Sequence, residues 1–234
     1  MRRDEWDSLH RGIIDDLTVT VYRRAWRARP EVRHIRMRGE DAIVKDYGRG
    51  GNLFKHLLGA FLAMRERAAL LRAGGIRNIP RVLGLPRRWI LVLEHIEATE
   101  LDDTPPEVFT SEFFDQLSAM IADMHALGMA HGDLENLGNI LVTPEGQPAI
   151  VDFAAAVMAG ANPLAAIALP HMQENDLRAV CKAKSVLAPH LLTDEEGELL
   201  QRRSTVELWF RRARRYVRRP VKRLAAGEYD KNAP

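Results

Sequence analysis

The chain is 234 residues long, 46% hydrophobic and 28% charged, with 34 Lys and Arg against 32 Asp and Glu for a net charge of +2, enough material for one large domain or two small lobes sharing a cleft. A single cysteine, Cys181, excludes an internal disulfide and a Cys-rich zinc site, and none of the eight histidines forms an HExxH-like pair, so a transition-metal centre is not expected. The start, MRRDEWDSLHRG, has no apolar signal core, and AAAVMAGANPLAAIAL (154–169), interrupted by Asn162 and Pro163, is too short to cross a bilayer, which leaves a reducing cytoplasm as the expected compartment.

Residues 17–26, 32–38 and 41–47 are short runs rich in Val, Ile, Thr and Tyr, separated by Pro30 and Gly39, and predict antiparallel strands. The stretch 54–72 sets Phe54, Leu57, Leu58, Phe61 and Leu62 at helical spacing and ends at Gly74-Gly75, a C-cap signal. Two more strands, 81–85 and 89–96, flank Pro86-Arg87-Arg88. Residues 1–97 therefore read as five strands and one helix, and the acidic, proline-containing run 98–107 as a connector. Beyond it the periodicity is helical: Phe113, Leu117, Met120, Ile121 and Met124 form a stripe that Thr110 or Ser111 can cap and Gly128 can close. A loop at 131–139 precedes a hairpin of ILVT and PAIVDF. A helix at about 174–188 completes a lobe over 108–200, and a longer helix is expected from about 194 into the tail, 201–234.

Five pieces of this chain carry chemistry in series: Lys45 in AIVKDY, Glu66 in AMRERAALL, HGDLENLGNILV (131–142), IVDF (150–153) and ENDLRAV (174–180). Phosphoryl transfer asks little covalent participation of a protein. It needs a triphosphate held, its charge neutralised by metal and an acceptor hydroxyl aimed in line. Strand alternation puts Ile43 and Lys45 on one face and Val44 and Asp46 on the other, so Lys45 can reach α- and β-phosphates, with a mid-helix Glu66 pairing to it; a solvated lysine and a surface glutamate between Arg65 and Arg67 is the bland alternative. Asp133 is the candidate base or orienter of the hydroxyl. Asp152 is the main Mg²⁺ carboxylate, and Asn139 a further ligand through its amide oxygen, in competition with Asn136. His131 reads as a loop support packing near Phe153, and Asp176, opening a helix, as an acceptor of loop N–H groups or a plain helix-start carboxylate.

These motifs, over about residues 40–188, resemble the protein-kinase-like superfamily in its small atypical bacterial form, above all the lipopolysaccharide core kinases acting on heptose or Kdo, and more distantly the RIO-type kinases. The resemblance implies an α+β, two-lobed protein-kinase-like fold with ATP and Mg²⁺ as cofactors, and a hinge at Leu93–Ile96 where the backbone of Glu94 and Ile96 meets adenine. This chain departs from the pattern in four places. RARPEVRH (27–34) stands where a glycine-rich phosphate loop is usual, and its arginines can do by charge what backbone N–H groups usually do, while GRGGN (48–52) follows Lys45 and reads as a turn. Asp133 to Asn139 is one residue longer than usual, and Ala154 replaces the glycine after Asp-Phe. No Ala-Pro-Glu motif closes the segment after Phe153, and 153–176 holds no Ser, Thr or Tyr, so a peptide-docking platform and activation-loop phosphorylation are not expected. The implied reaction is transfer of the ATP γ-phosphate to a hydroxyl of a lipopolysaccharide core sugar or related glycolipid at the inner membrane surface. A RIO-like serine/threonine kinase or ATPase acting on a ribonucleoprotein is the first alternative, and a nucleotide-binding pseudokinase scaffold the second.

The tail adds a charge asymmetry. Residues 202–223 hold nine Arg and Lys222 against Glu207, a charge of +9, so the rest of the chain carries −7. Val206, Trp209, Phe210, Ala213 and Val217 form an apolar stripe with most arginines off it, ended by Pro220. Such a helix can pack on the helical lobe, lie on an anionic membrane, or, less favourably, bind RNA phosphates.

Overall fold

A computed structural model of the protein describes residues 3–26, 29–49 and 53–201. The described residues fall in two units, one ending at Leu192 and the other beginning at Thr193.

The first unit opens with two short helices that the sequence pattern did not announce, α1 (Arg3–Asp7) and α2 (Arg11–Asp16). A five-stranded antiparallel sheet follows, built from β1 (Thr18–Arg23), β2 (Glu31–Met37), β3 (Glu40–Asp46), β4 (Val82–Arg87) and β5 (Ile90–Glu94) in the order β1-β2-β3-β5-β4, with α3 (Leu53–Arg72) between β3 and β4. Alternation divides its residues between two faces. Ala42, Val44, Ile90 and Val92 pack with Ile35 against Trp6, Leu9 and Ile14 of the N-terminal segment. Leu91 and Leu93 belong instead to the main core with Leu70, Phe114 and Phe153. Polar bonds fix the cover: Asp7 accepts from the Leu85 amide at 2.6 Å, and Arg11 grips Asp46 with two bonds of 2.6 and 3.0 Å at the end of β3.

α3 turns a different face inward from the one its apolar spacing nominates. Leu57 and Phe61 are 65% and 63% exposed, while Ala63, Glu66, Ala69, Leu70 and Ala73 are buried. Small residues allow the helix to approach the sheet. At Gly59 an added Cβ would lie 2.6 Å from the Tyr47 carbonyl oxygen, so glycine sets how near α3 comes to the end of β3.

After β5 the chain enters β6 (Thr99–Glu100), then α4 (Ser111–Ala126), whose first turn is capped by the Thr110 hydroxyl accepting from the Phe113 amide. β6 forms a small antiparallel sheet with β8 (Ile140–Val142) and β9 (Pro148–Ile150), in the order β6-β8-β9, and β7 (Met129–Ala130) pairs with β10 (Val157–Met158). α5 runs from Pro163 to Leu187, not from about 174. The residues from Pro163 up to the expected start are already helix: the Asn162 side chain accepts from the Ala165 amide at 2.8 Å, Pro163 fits the first turn, and Pro170 is taken into the interior without ending it.

In the second unit α6 (Asp194–Gln201) starts at a reciprocal cap, Thr193 Oγ1 accepting from the Glu196 amide and Glu196 Oε2 from the Thr193 amide. Residues 202–234, including the basic stripe, lie outside the described residues. Among the described residues no helix is long and apolar enough to cross a membrane.

Candidate functional site

Register is the first builder of the site. Arg23 lies opposite Val32, Val32 opposite Lys45, and Lys45 opposite Leu91, so this row of side chains shares one face of the sheet. Lys45, 6% exposed, places its Nζ 2.5 Å from Glu66 Oε1 and 2.8 Å from Asp152 Oδ1, and Glu66 is completely buried. The Tyr47 hydroxyl donates to the other Glu66 oxygen. Burial works against the Lys45 charge, but the two carboxylates outweigh it and hold its pKa above the ordinary lysine value. Burial would likewise raise Asp152; the Lys45 ammonium overcomes it and holds that carboxyl below its usual range.

The loop after β7 is tied from both sides. Asp176 accepts from the His131 amide at 2.7 Å with Oδ2 and from the Gly132 amide at 3.0 Å with Oδ1. It does so from the interior of α5, not from a helix start. The His131 Nε2–H donates to the Val151 carbonyl at 2.9 Å and its Nδ1 accepts from the Asp133 amide at 3.4 Å, a pairing that fits the neutral ring. The ring stands edge-on to Phe153, centroids 4.7 Å apart, and burial pushes its pKa down. Gly132 has φ +74°, and a Cβ there would meet the Ala155 carbonyl oxygen at 2.9 Å, so this turn requires glycine. Asn139 donates to the Asp133 carbonyl at 2.9 Å and to its carboxylate at 3.4 Å, while the Asn136 amide donates to Asn139 Oδ1 at 3.4 Å. Asp152 sits in the left-handed region, φ 66° and ψ 64°, a local conformation that the surrounding bonds hold in place.

Between sheet and loop lies a cleft of about 620 Å³. Val32 and Ile43 line it from the sheet, Leu141 and Val151 from the helical side, Glu94 and Ile96 from the chain crossing, and Lys45, Asn136, Asn139 and Asp152 from the charged end. Asp133 is not part of this wall; it is joined to it through Asn139. The Glu94 carboxylate is held by Arg81 at 2.9 and 3.0 Å and its N–H by the Arg81 carbonyl at 2.9 Å. The donor set suits Mg²⁺, which takes one or two carboxylates and completes its shell with phosphate and water. Lys45 engages Oδ1 of Asp152, so Oδ2 and the amide oxygens of Asn136 and Asn139 are the hard oxygens at hand. Among the described residues no cluster of three His, Cys, Asp or Glu forms a cage of its own.

Of the arginines expected to stand in for a glycine loop, Arg27 lies outside the described residues. Arg29 is exposed, its amide donating to the Trp26 carbonyl at 2.9 Å. Arg33 faces the other way, bonded to Glu31 and to Asp15, each at 2.5 Å. Three features escaped the sequence: Arg23 in the cleft wall, Tyr47 on Glu66, and a stack of Tyr22, His34 and His95 with centroids 6.3 and 4.5 Å apart. Only Tyr47 left a signal, since two residues beyond Lys45 on a strand falls on the same face.

Residues 49–183 match the family model for the RIO domain. The fold is similar to the Rio2 kinase of Chaetomium thermophilum solved as an ADP/Mg²⁺-phosphoaspartate complex, with a TM-score of 0.58 and 18% identity over 80% of this chain and 61% of that one. A second structure of Rio2 kinase from the same organism gives 0.57 and 17% over 80% and 65%. The chain thus spans less than two thirds of either. No curated protein matches the chain.

Proposed function

The chain belongs to the RIO domain family, and from that premise we propose that it is an atypical kinase using Mg·ATP, with a lobe boundary at 98–107 and the cleft as its nucleotide site. The observation that carries the reading is the buried Lys45 held between Glu66 and Asp152 at 2.5 and 2.8 Å. There the ammonium is fixed for the α- and β-phosphates, the backbone of Glu94 and Ile96 is the contact for the adenine edge, and Asp152 with Asn139 is positioned for the metal. Bound Mg²⁺ supplies neutralisation of the charge on the transferring phosphoryl group. Asp133, held by Asn139, receives or orients the acceptor proton.

The family match favours a RIO-like serine/threonine kinase or ATPase acting on a ribonucleoprotein over the glycolipid kinase that the sequence resemblance put first; nothing in the family or fold matches points to lipopolysaccharide or to a membrane surface. The complex named for Rio2 favours a second reading, in which an aspartate takes the phosphoryl group itself. Asp152 is the aspartate bonded to Lys45. A carboxylate oxygen would attack the γ-phosphorus, the bond to the β–γ bridging oxygen would break as ADP leaves, and water would then release inorganic phosphate.

Incubation with γ-labelled ATP, Mg²⁺ and separated protein, ribonucleoprotein and lipid fractions tests the acceptor. Label in protein or ribonucleoprotein, or free phosphate stimulated by ribonucleoprotein, is the expected result, and hydroxylamine-labile label on the chain itself would mark the aspartyl route. Label confined to lipid would overturn the reading.

A further inference from the structure

The edge strand β1 carries a bulge where it meets the cleft. Thr20 pairs with His34 and Val21 with Arg33, but the next pair is Arg23 with Val32, so Tyr22 is an extra residue in the ladder. Regular alternation would have turned Arg23 to the opposite face from Thr20. The inserted residue brings both Tyr22 and Arg23 to the cleft, and both line it. Tyr22 lies parallel to His34, which lies parallel to His95 at the crossing between sheet and helices, so the bulge is packed on its own aromatic column.

Arg23 then stands two strands from Lys45 on the same face, with Val32 between them. Opposed residues on adjacent strands lie about 5 Å apart, so the two cations are separated by roughly 10 Å at their Cα atoms, a span that a triphosphate can bridge. The guanidinium spends its Nε–H on the Pro30 carbonyl at 3.4 Å. Its charge reaches the site, since it contributes to holding Asp152 down. The connection from β1 to β2, RAWRARP (24–30), has no glycine from which to build a nest of backbone N–H groups.

We propose that Arg23, re-aimed by the β1 bulge, is the phosphate-binding cation on the sheet side of the cleft, gripping the β- or γ-phosphate of a nucleoside triphosphate in place of a glycine-rich loop. This rests on the nucleotide-binding reading of the same cleft. A planar fork of donors suits phosphate oxygens, and its contribution depends on the number of phosphates and falls with salt.

The test is equilibrium binding of Mg·ATP and of adenosine to the full chain, to Arg23→Gln, to Arg23→Lys and to Arg33→Gln. The expected result is a loss of about 10- to 100-fold in ATP affinity for Arg23→Gln, little change for adenosine, partial recovery in Arg23→Lys and no change in Arg33→Gln. Unchanged ATP affinity in Arg23→Gln overturns the proposal, and so does an equal loss for adenosine, which would make Arg23 a prop of the fold. If the unaltered chain binds ATP no better than adenosine, the kinase reading itself fails, and that outcome is visible before any variant is compared.

Discussion

Lys45 and His131 show two opposite ways of managing a buried titratable group. Lys45 keeps its charge because Glu66 and Asp152 face it, and the Tyr47 hydroxyl satisfies the remaining oxygen of a carboxylate that has no access to water. His131 instead gives up its charge: both ring nitrogens are matched in the neutral state, and burial holds its pKa below 6.5. The sign of its pH dependence follows. As pH falls through 6.5 the unfolded chain takes up the proton before the folded one does, so the stability linked to His131 is complete above that value and drains as pH drops below it. The difference in unfolding free energy between the unaltered protein and His131→Gln should therefore shrink between about pH 7 and pH 5 in denaturant titrations. A difference that stays constant would mean that the folded ring is not held neutral. For Asp152 the sign is likewise a loss in acid, but the window lies below 3.8, so the two contributions separate along the pH axis.

At the scale of elements, the signals that were legible were those with a full local period. The β3 alternation fixed the face of Lys45, and α3 ends at Arg72, just ahead of its Gly74-Gly75 signal. The face that α3 buries was not legible, because Leu57 and Phe61 form the stronger apolar stripe while the site demands that Glu66 point inward among alanines. Nor was the start of α5 legible: the pattern predicts a helix from about 174, yet α5 runs from Pro163 through Pro170, and Asp176 consequently works from a helix interior. The β1 bulge has no sequence signature, and α1 and α2 are too short to show a period. Yet α1 covers the outer face of the sheet with Trp6, which is 2% exposed. Trp6→Ala should cost about 3–5 kcal/mol by leaving a cavity against Gly84 and Val92, and chemical denaturation would measure it. A cost below about 1 kcal/mol would show that the N-terminal helices are not part of the cooperative unit.

At the scale of the molecule, the sheet with its one helix brings the lysine, the loop after β7 brings Asp133 and Asn139, and the turn after β9 brings Asp152. Each arrives from a different stretch of chain, and the cleft exists only where those stretches meet. The family match over 49–183 begins after β3, so Lys45 and Arg23 lie outside the matched span although they face residues within it. The site reading therefore depends on geometry more than on the matched sequence. Its central claim is a division of labour between two aspartates, one serving the acceptor and the other the metal. The most direct test compares Mg·ATP affinity and turnover in Asp133→Asn and Asp152→Asn. The account predicts that Asp133→Asn binds Mg·ATP nearly as well as the unaltered chain and turns over at least about 100-fold more slowly, whereas Asp152→Asn loses Mg²⁺-dependent binding itself. Equal effects of the two substitutions on binding and on turnover would contradict it.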